Sequence, residues 1–217
     1  MPGRERAFDE YVERYEAWYD SARGAALLAT EVACLRPLLA RYPKPWLEVG
    51  IGSGRFGQAL GIQHGVDLSL PSLKLAWTRG VRVARGTGEA LPYRDGAFGC
   101  VLMAFTLCFV SRPEAALREA RRVLGDGGGL VLGLLLRGSP WADDYARRGR
   151  EGHPVYRDAV FHSREEVEAL TAEAGFRLEG YRSTLFQSPG LERYAVEEAV
   201  EGFAAGAGFA CLAARKG

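Results

Sequence analysis

A glycine series at alternating positions is the feature of this sequence with the clearest chemical meaning. The series GIGSG at 50–54 follows the apolar run 46–49 and precedes apolar residues at helical spacing, which predicts a strand, a tight turn and a helix. Such a turn lets main chain approach a ligand closely, because a Cβ atom at Gly50 or Gly52 would fill the space that the ligand needs. The turn alone indicates a nucleotide-like ligand only weakly.

A carboxylate follows this turn at a spacing that suits a ribose. Asp67 lies at the end of the next predicted strand, 17 residues after Gly50, where it can accept hydrogen bonds from both ribose hydroxyls. Its alternative role is to cap a helix, although Ser69 is better placed for that. Arg55 stands where the dinucleotide fingerprint has its third glycine, which disfavours a nicotinamide dinucleotide.

The rest of the chain alternates between predicted strands and helices, which indicates a parallel sheet with helices on its faces. Further strands are expected at 65–68, 81–84, 98–105 and 130–136, and helices at 25–39, from Pro71, at Pro113–Val123 and after the capping box of Ser163 and Glu166. The glycines at 125–129 predict a turn. Segments 176–186 and 208–214 predict a closing hairpin, with a short helical stretch at 191–200 in its connection.

The whole chain, 1–217, is expected to form one domain, because its length suits a single α/β core with a few additions. Its first part, 1–42, is predicted to be helical, since aromatic and apolar residues recur at helical spacing from Phe8 onward. That aromatic stripe fits either core packing or a cover over a ligand. A second addition, at about 137–162, has an irregular pattern and is predicted to be a substrate lid.

The composition argues against several classes of partner. The 28 basic and 27 acidic side chains nearly cancel and the arginines are scattered, so a nucleic-acid partner is not expected. The four cysteines lie far apart, which indicates neither disulfides nor zinc, and adjacent acidic pairs such as Asp143 and Asp144 predict solvated faces instead of a metal site. Without an apolar signal region or a long apolar span, a cytoplasmic location and no membrane partner are expected.

The chain resembles class I S-adenosylmethionine-dependent methyltransferases in three successive segments, LEVGIGSGRF at 47–56, GVDLS at 65–69 and GTGEALPY at 86–93. The segment LGDGGGLVLG at 124–133 is similar to the turn and fifth strand of that family, and the likeness extends over approximately 15–176. It is closest to the small-molecule branch with the ubiquinone and menaquinone methyltransferases. The resemblance implies a doubly wound, mostly parallel, seven-stranded Rossmann-like α/β sheet with an antiparallel last strand, and S-adenosyl-L-methionine as cofactor.

The resemblance also implies a set of cofactor-binding residues. Glu48 would order the glycine turn near the methionine moiety, Asp67 would bind the ribose and Leu68 would pack on adenine. Phe105 would line the methyl-transfer face. The full set is Glu48, Gly50, Gly52, Ser53, Asp67, Leu68, Thr87, Gly88, Glu89 and Phe105, with Tyr15 as a lid residue.

One departure from the family concerns the adenine edge. Many relatives carry Asp-Ala where this chain has Thr87 and Gly88, so the usual carboxylate acceptor for the adenine amino group is missing there. The Thr87 hydroxyl would replace it more weakly. The segment 87–89 is still expected to present backbone and side-chain groups, including Glu89, to adenine.

The acceptor is addressed less directly by the sequence. The aromatic residues of the predicted lid favour a small, partly apolar or aromatic acceptor, and the candidates for binding it are Trp141, Tyr145, His153 and Tyr156. No catalytic base is identified, because a lone histidine in a loop, such as His153 or His162, is more often structural or solvated. A non-catalytic sensor of the same cofactor is therefore the main alternative, ahead of a nicotinamide-dependent oxidoreductase. The oligomeric state is not defined by the sequence.

Overall fold

One eight-stranded sheet forms the centre of the protein. The computed structural model describes residues 2–217, with side chains from residue 6 onward. The strands are β1 Trp46–Val49, β2 His64–Asp67, β3 Arg82–Arg85, β4 Phe98–Ala104, β5 Leu124–Leu134, β6 Phe176–Thr184, β7 Val200–Glu201 and β8 Phe209–Lys216. Their order is β3-β2-β1-β4-β5-β8-β6-β7, with β1 to β5 parallel and β8 antiparallel to β5. The predicted doubly wound, mostly parallel fold is confirmed.

The eighth strand is the one difference from the expected sheet. It is β7, a two-residue strand that pairs antiparallel with β6 at the sheet edge. Two residues carry no periodic pattern from which a strand could be predicted.

Helices cover both faces of the sheet. They are α1 Pro2–Asp20, α2 Ala22–Leu39, α3 Arg55–Leu60, α4 Leu70–Thr78, α5 Pro113–Val123, α6 Pro140–Arg150 and α7 Arg164–Glu173, with a 3₁₀ turn at Tyr156–Asp158. Residues of β4 alternate between two cores: Val101 and Met103 pack with α5 and α7, whereas Cys100 and Leu102 pack with α1, α2, α3 and α6. None of the described helices has the length and apolar content needed to cross a bilayer.

The segment 137–162 is more ordered than its sequence pattern predicts. The expectation of an irregular insertion was wrong for 140–150, which form α6. Ser139 caps this helix by accepting a hydrogen bond from the Ala142 N–H, and Pro140 occupies its first turn. Charged residues fill five of its eleven positions, and one of them, Arg147, pairs with Asp144 and Glu151. Its apolar face is therefore narrow, and the sequence pattern did not predict this helix.

Two further expectations were wrong. The stretch 191–199 is not helical and has no regular secondary structure. It is held beside the end of β6 by the Glu197 carboxylate, which accepts hydrogen bonds from the backbone N–H groups of Phe186 and Gln187. The glycines at 125–129 belong to β5, which begins at Leu124, and they lie at an irregularity where the pairing with β4 shifts. In contrast, the predicted capping box of Ser163 and Glu166 is present at the start of α7.

Candidate active site

The glycine turn 50–54 lies at the carboxyl end of β1. Its three positions require glycine for different reasons. All three have left-handed backbone conformations, with φ of +74°, +51° and +83°. A Cβ atom at Gly52 would meet no atom of the described residues within 4 Å, so the space beside it is open to a ligand. A Cβ atom at Gly50 would lie 2.4 Å from the Thr106 hydroxyl oxygen, and one at Gly54 would lie 2.9 Å from Ala76. The ligand-space reason therefore applies to Gly52, whereas Gly50 and Gly54 are required by internal packing.

Asp67 links the glycine turn to the start of α4. One carboxylate oxygen accepts the Gly52 N–H at 2.9 Å and the other accepts the Ser69 N–H at 2.9 Å. Each oxygen keeps a second lone pair for a ribose hydroxyl. Burial raises the pKa of Asp67, and these backbone hydrogen bonds partly offset the rise. Ser69, not Asp67, caps α4, as expected, by accepting the Ser72 N–H.

Two buried polar atoms beside the turn lack a well-formed hydrogen bond within the described part of the chain. Glu48 is 1% exposed, and its Oε2 atom makes no hydrogen bond among the described residues. The hydroxyl oxygen of Ser53 is also buried and, among the described residues, has no hydrogen bond of good geometry, although it lies near the Glu16 carboxylate. Burial, and after it the nearby Asp67, raise the pKa of Glu48. Unpaired polar groups cost free energy when buried, so both atoms are suited to contacts that a ligand supplies.

The region predicted for adenine is built mainly from backbone. Leu68 follows β2 and is 39% exposed, which leaves its side chain free to cover a flat ring. Thr87 and Ala90 form an isolated bridge that shapes the next turn. One oxygen of the Glu89 carboxylate, Oε1, accepts the backbone N–H groups of Ser111 and Arg112 at the start of α5, and the predicted contact of Glu89 with adenine stays a prediction. The backbone of 87–89, with Gly88 at its centre, remains available.

Helix α1 crosses the carboxyl ends of the strands. Phe8 packs edge-on against Phe109, which follows β4, with ring centroids 5.2 Å apart. Glu16 is held by Arg55, with a 2.8 Å contact, and by Arg79, three residues that we call the Glu16 clamp. Burial alone would raise the pKa of Glu16, but the hydrogen bonds from Arg55 and Arg79 outweigh it and lower the pKa to about 2. The clamp fixes α1 over the glycine turn, because Arg55 directly follows that turn.

Aromatic rings from α1, α3, β4 and the α6 region meet beside the glycine turn. We call this group the aromatic chamber; it consists of Tyr15, Tyr19, Phe56, Phe105, Tyr145 and Tyr156. Ring centroids are 4.8 Å apart between Tyr15 and Tyr19, 5.8 Å between Phe56 and Phe105, and 4.4 Å between Tyr145 and Tyr156. Burial raises the pKa of Tyr15, Tyr19 and Tyr145, and raises that of Tyr156 to about 12. The tyrosines are therefore neutral hydrogen-bonding groups near pH 7, and not bases.

Phe105 has a conformation that few residues other than glycine adopt. Its φ of +55° lies in the left-handed region, directly after β4, and its ring also packs against Phe209 at 4.9 Å between centroids. Strained backbone of this kind is often found at functional sites. The Phe56 ring is another neighbour, with centroids 5.8 Å apart, and the place of Phe105 at the methyl-transfer face stays a prediction.

The four residues predicted to bind the acceptor are not equivalent. Tyr145 and Tyr156 belong to the aromatic chamber. Trp141 is 5% exposed and donates its indole N–H to the Gln187 carbonyl oxygen at 2.8 Å, and Gly208 packs directly against its ring. Trp141 is therefore part of the core that supports α6.

His153 joins the lid elements instead of offering a base. Its Nδ1 atom accepts the backbone N–H groups of Val155 and Tyr156 at 3.3 and 3.4 Å, so the hydrogen-bond pattern assigns the ring proton to Nε2. Nε2 then donates to the Tyr11 hydroxyl oxygen, 3.0 Å away. Burial and the nearby Arg148 and Arg14 lower the pKa of His153. The neutral ring links the α6 region to α1 and has no free lone pair for a substrate.

Glu31 is a residue of this region that the sequence reasoning missed. It lies on α2, is 5% exposed, and its Oε2 atom has no hydrogen-bond partner among the described residues. Its signal in the sequence is subtle: Leu27, Glu31 and Leu35 are spaced by four residues, so a carboxylate occupies the apolar face of an otherwise ordinary helix. Burial, followed by the nearby Cys34, raises its pKa.

Comparison with known proteins identifies the family. The family model described as a methyltransferase domain matches residues 47–132. A crystal structure from Thermotoga maritima, described as a SAM-dependent methyltransferase and possible histamine N-methyltransferase, is 36% identical with a TM-score of 0.88, and the match covers 98% of this chain and 99% of that one. The chain therefore belongs to the S-adenosylmethionine-dependent methyltransferases.

Two further proteins are similar to this chain. An uncharacterized protein of Mycobacterium tuberculosis is 54% identical over 200 residues, which cover 92% of this chain and 70% of the relative. The demethylmenaquinone methyltransferase of Roseiflexus castenholzii is 34% identical over 138 residues, which cover 55% of this chain and 58% of the relative. The chain is thus a methyltransferase, and S-adenosyl-L-methionine is its cofactor.

Proposed function

We propose that this methyltransferase transfers a methyl group to a small, partly apolar or aromatic acceptor that enters the aromatic chamber. The observation that carries the proposal is the position of this chamber, since buried rings from α1 and α6 meet Phe105 beside the glycine turn. Rings of this kind bind flat or apolar molecules, and neutral tyrosine hydroxyls orient a polar atom. The segment 137–162 acts as the acceptor lid in this proposal, with Tyr145 and Tyr156 in contact with the acceptor.

The cofactor is assigned to the crevice at the carboxyl ends of β1 and β2. Gly52 provides open space, Asp67 keeps lone pairs for the ribose, and Glu48 and Ser53 have buried oxygen atoms for the amino-acid portion. Leu68 and the backbone of 87–89 flank the adenine. The bound cofactor supplies an electrophilic methyl group on a sulfonium. The protein residues then align the acceptor and exclude water, and such positioning contributes roughly 7–11 kcal/mol in favourable cases.

The names of two relatives support a small-molecule acceptor. The Thermotoga protein is named for histamine and the Roseiflexus protein for demethylmenaquinone. The competing function is a non-catalytic sensor, which would bind the cofactor without transferring its methyl group. Only turnover separates these two functions.

The test is a search for the acceptor with methyl-labelled S-adenosylmethionine and a small-metabolite extract. Wild type is expected to label one or a few small molecules, and Asp67→Ala is expected to lose both this labelling and most of its affinity for S-adenosylhomocysteine in calorimetry. The exposed variant Glu13→Gln on α1 serves as the matched control and should retain both. Tight binding of S-adenosylhomocysteine without label transfer to any metabolite would favour the sensor.

A further inference from the structure

A second buried carboxyl group lies on the acceptor side of the site. Glu31 lies on the buried face of α2 between Leu27 and Leu35. These two leucines belong to the same core as Tyr15, Tyr19 and Tyr145, and the charge of Glu31 adds to the effect of burial in raising the pKa of the three tyrosines. One turn further along α2, Leu35 approaches Gly133 of β5, where Phe209 also packs. Phe209 in turn contacts Phe105. Glu31 therefore lies at the wall of the aromatic chamber.

The fold gives Glu31 no evident structural role. A buried carboxyl group stabilises a protein only when charges or hydrogen bonds compensate for the loss of water. The Oε2 atom of Glu31 has no such partner in the described part of the chain, and no basic side chain forms an ion pair with it there. A leucine would fill this position on the helix face as well as its neighbours Leu27 and Leu35 do. A carboxyl group retained at a cost in stability points to a ligand that compensates for it.

We propose that Glu31 is the acceptor-binding carboxylate of this enzyme and that the acceptor is an amine attached to an apolar or aromatic group. The inference rests on the proposed function and specifies its substrate class. An ammonium ion would pair with the carboxylate, and the surrounding tyrosine rings would favour the same cation through their π faces. An alcohol or a carboxylic acid of equal size would leave Glu31 unpaired or repelled.

The same contact accounts for the proton that an amine must lose. The acceptor enters as an ammonium ion and passes one proton to Glu31, whose raised pKa makes it a stronger proton acceptor than an exposed carboxylate. A nitrogen–carbon bond then forms while the carbon–sulfur bond of the methyl donor breaks and its electron pair stays on sulfur. The methylated amine retains one positive charge. The proton on Glu31 leaves to solvent when the product departs.

Glu48 is a second almost fully buried glutamate with an unpartnered oxygen among the described residues, and comparison with it separates this proposal from a simpler one. In the simpler proposal Glu31 would bind the amino group of the cofactor, and its removal would weaken cofactor binding. Glu48 lies at the end of β1 next to the glycine turn and near Asp67, whereas Glu31 lies on α2 near Cys34 and Cys211. We therefore expect substitution of Glu48 to weaken cofactor binding and substitution of Glu31 to weaken acceptor binding.

The experiment measures equilibrium binding of three probes of similar shape to the protein saturated with S-adenosylhomocysteine. The probes are 2-phenylethylamine, 2-phenylethanol and 3-phenylpropanoate, and calorimetry reports their affinities without turnover. Wild type is expected to prefer the amine to the alcohol by about tenfold or more, as for a charge-assisted hydrogen bond. In Glu31→Gln this preference should disappear, while affinity for S-adenosylhomocysteine stays unchanged. In Glu48→Gln the affinity for S-adenosylhomocysteine should fall instead.

Thermal unfolding distinguishes a binding role from a structural one. Since Glu31→Gln removes a buried ionisable group, its Tm should equal or exceed that of wild type. The wild-type comparison of probes can overturn the proposal by itself, through equal binding of amine and alcohol, preference for the acid, or no binding of the amine. An amine preference that survives in Glu31→Gln would also overturn it. Methyl transfer to an acceptor without an amino group would contradict the role of Glu31 and leave the methyltransferase function intact.

Discussion

The glycine turn and the aromatic chamber are adjacent, but they are built in opposite ways. The turn at 50–54 consists mainly of backbone, and the sheet holds it through Asp67 and the main-chain contacts of β1 and β2. The chamber consists of side chains from separate helices, joined by ring contacts and by the Glu16 clamp. Under the proposed function this difference corresponds to a division of tasks, in which the sheet would fix the methyl donor and the helical cover would select and enclose the acceptor.

The largest expected effect tests the glycine turn, which is the part of the site built mainly from backbone. Gly52→Ala places a methyl group in the open space beside the turn, where the described part of the chain has no atom within 4 Å, so the methyl group competes only with a ligand. We expect affinity for S-adenosylhomocysteine to fall on the order of a hundredfold in calorimetry. Gly206→Ala is the matched control, because Gly206 also has a positive φ, +85°, and open space around it but lies outside the site. Equal effects of the two variants would show that backbone strain, not ligand space, is responsible.

An intermediate effect is expected at the Glu16 clamp, which joins α1 to the glycine turn. Glu16→Gln removes the carboxylate that Arg55 and Arg79 share, so α1 should cover the glycine turn less firmly. We expect the dissociation rate of S-adenosylhomocysteine in stopped-flow measurements to rise roughly tenfold, as for a partly buried charge pair. Glu13→Gln, an exposed change on the same helix, should have no effect. An unaltered dissociation rate in Glu16→Gln would mean that α1 does not control exit.

The smallest expected effect concerns pH and the link between Tyr11 and His153. The folded protein holds the pKa of His153 below the value of about 6.5 for an unfolded chain. As pH falls through that value, the unfolded state binds a proton that the folded state does not, so this residue makes folding less stable at lower pH. His153→Gln should reduce the part of the stability loss between neutral and mildly acidic pH that wild type shows in urea unfolding. The same pH dependence in both proteins would contradict the assignment of a neutral, Nε2-protonated ring.

The same division explains what the sequence predicts well. The glycine turn, Asp67 and the cap at Ser69 lie close together along the chain, and local geometry requires their residue types, so both identity and role can be inferred. The chamber depends on which helix faces meet, and that depends on packing between distant segments. The burial of Glu31 therefore could not be predicted from the sequence, nor could the packing of Trp141 within the core, and its predicted contact with the acceptor stays a prediction. Helix α6 was missed for a related reason, since its charged residues outnumber its apolar ones.

The Thr106 side chain connects the glycine turn to the segment that follows β4. Its hydroxyl donates to the Val49 carbonyl oxygen at 2.8 Å and packs against Gly50, directly next to Phe105. The turn at 50–54 and the end of β4 are therefore connected directly through Thr106, and this contact does not involve the covering helices. Under the proposed function, a substitution in α2 or α6 that leaves this contact intact would change the acceptor side of the site and preserve the turn that binds the donor.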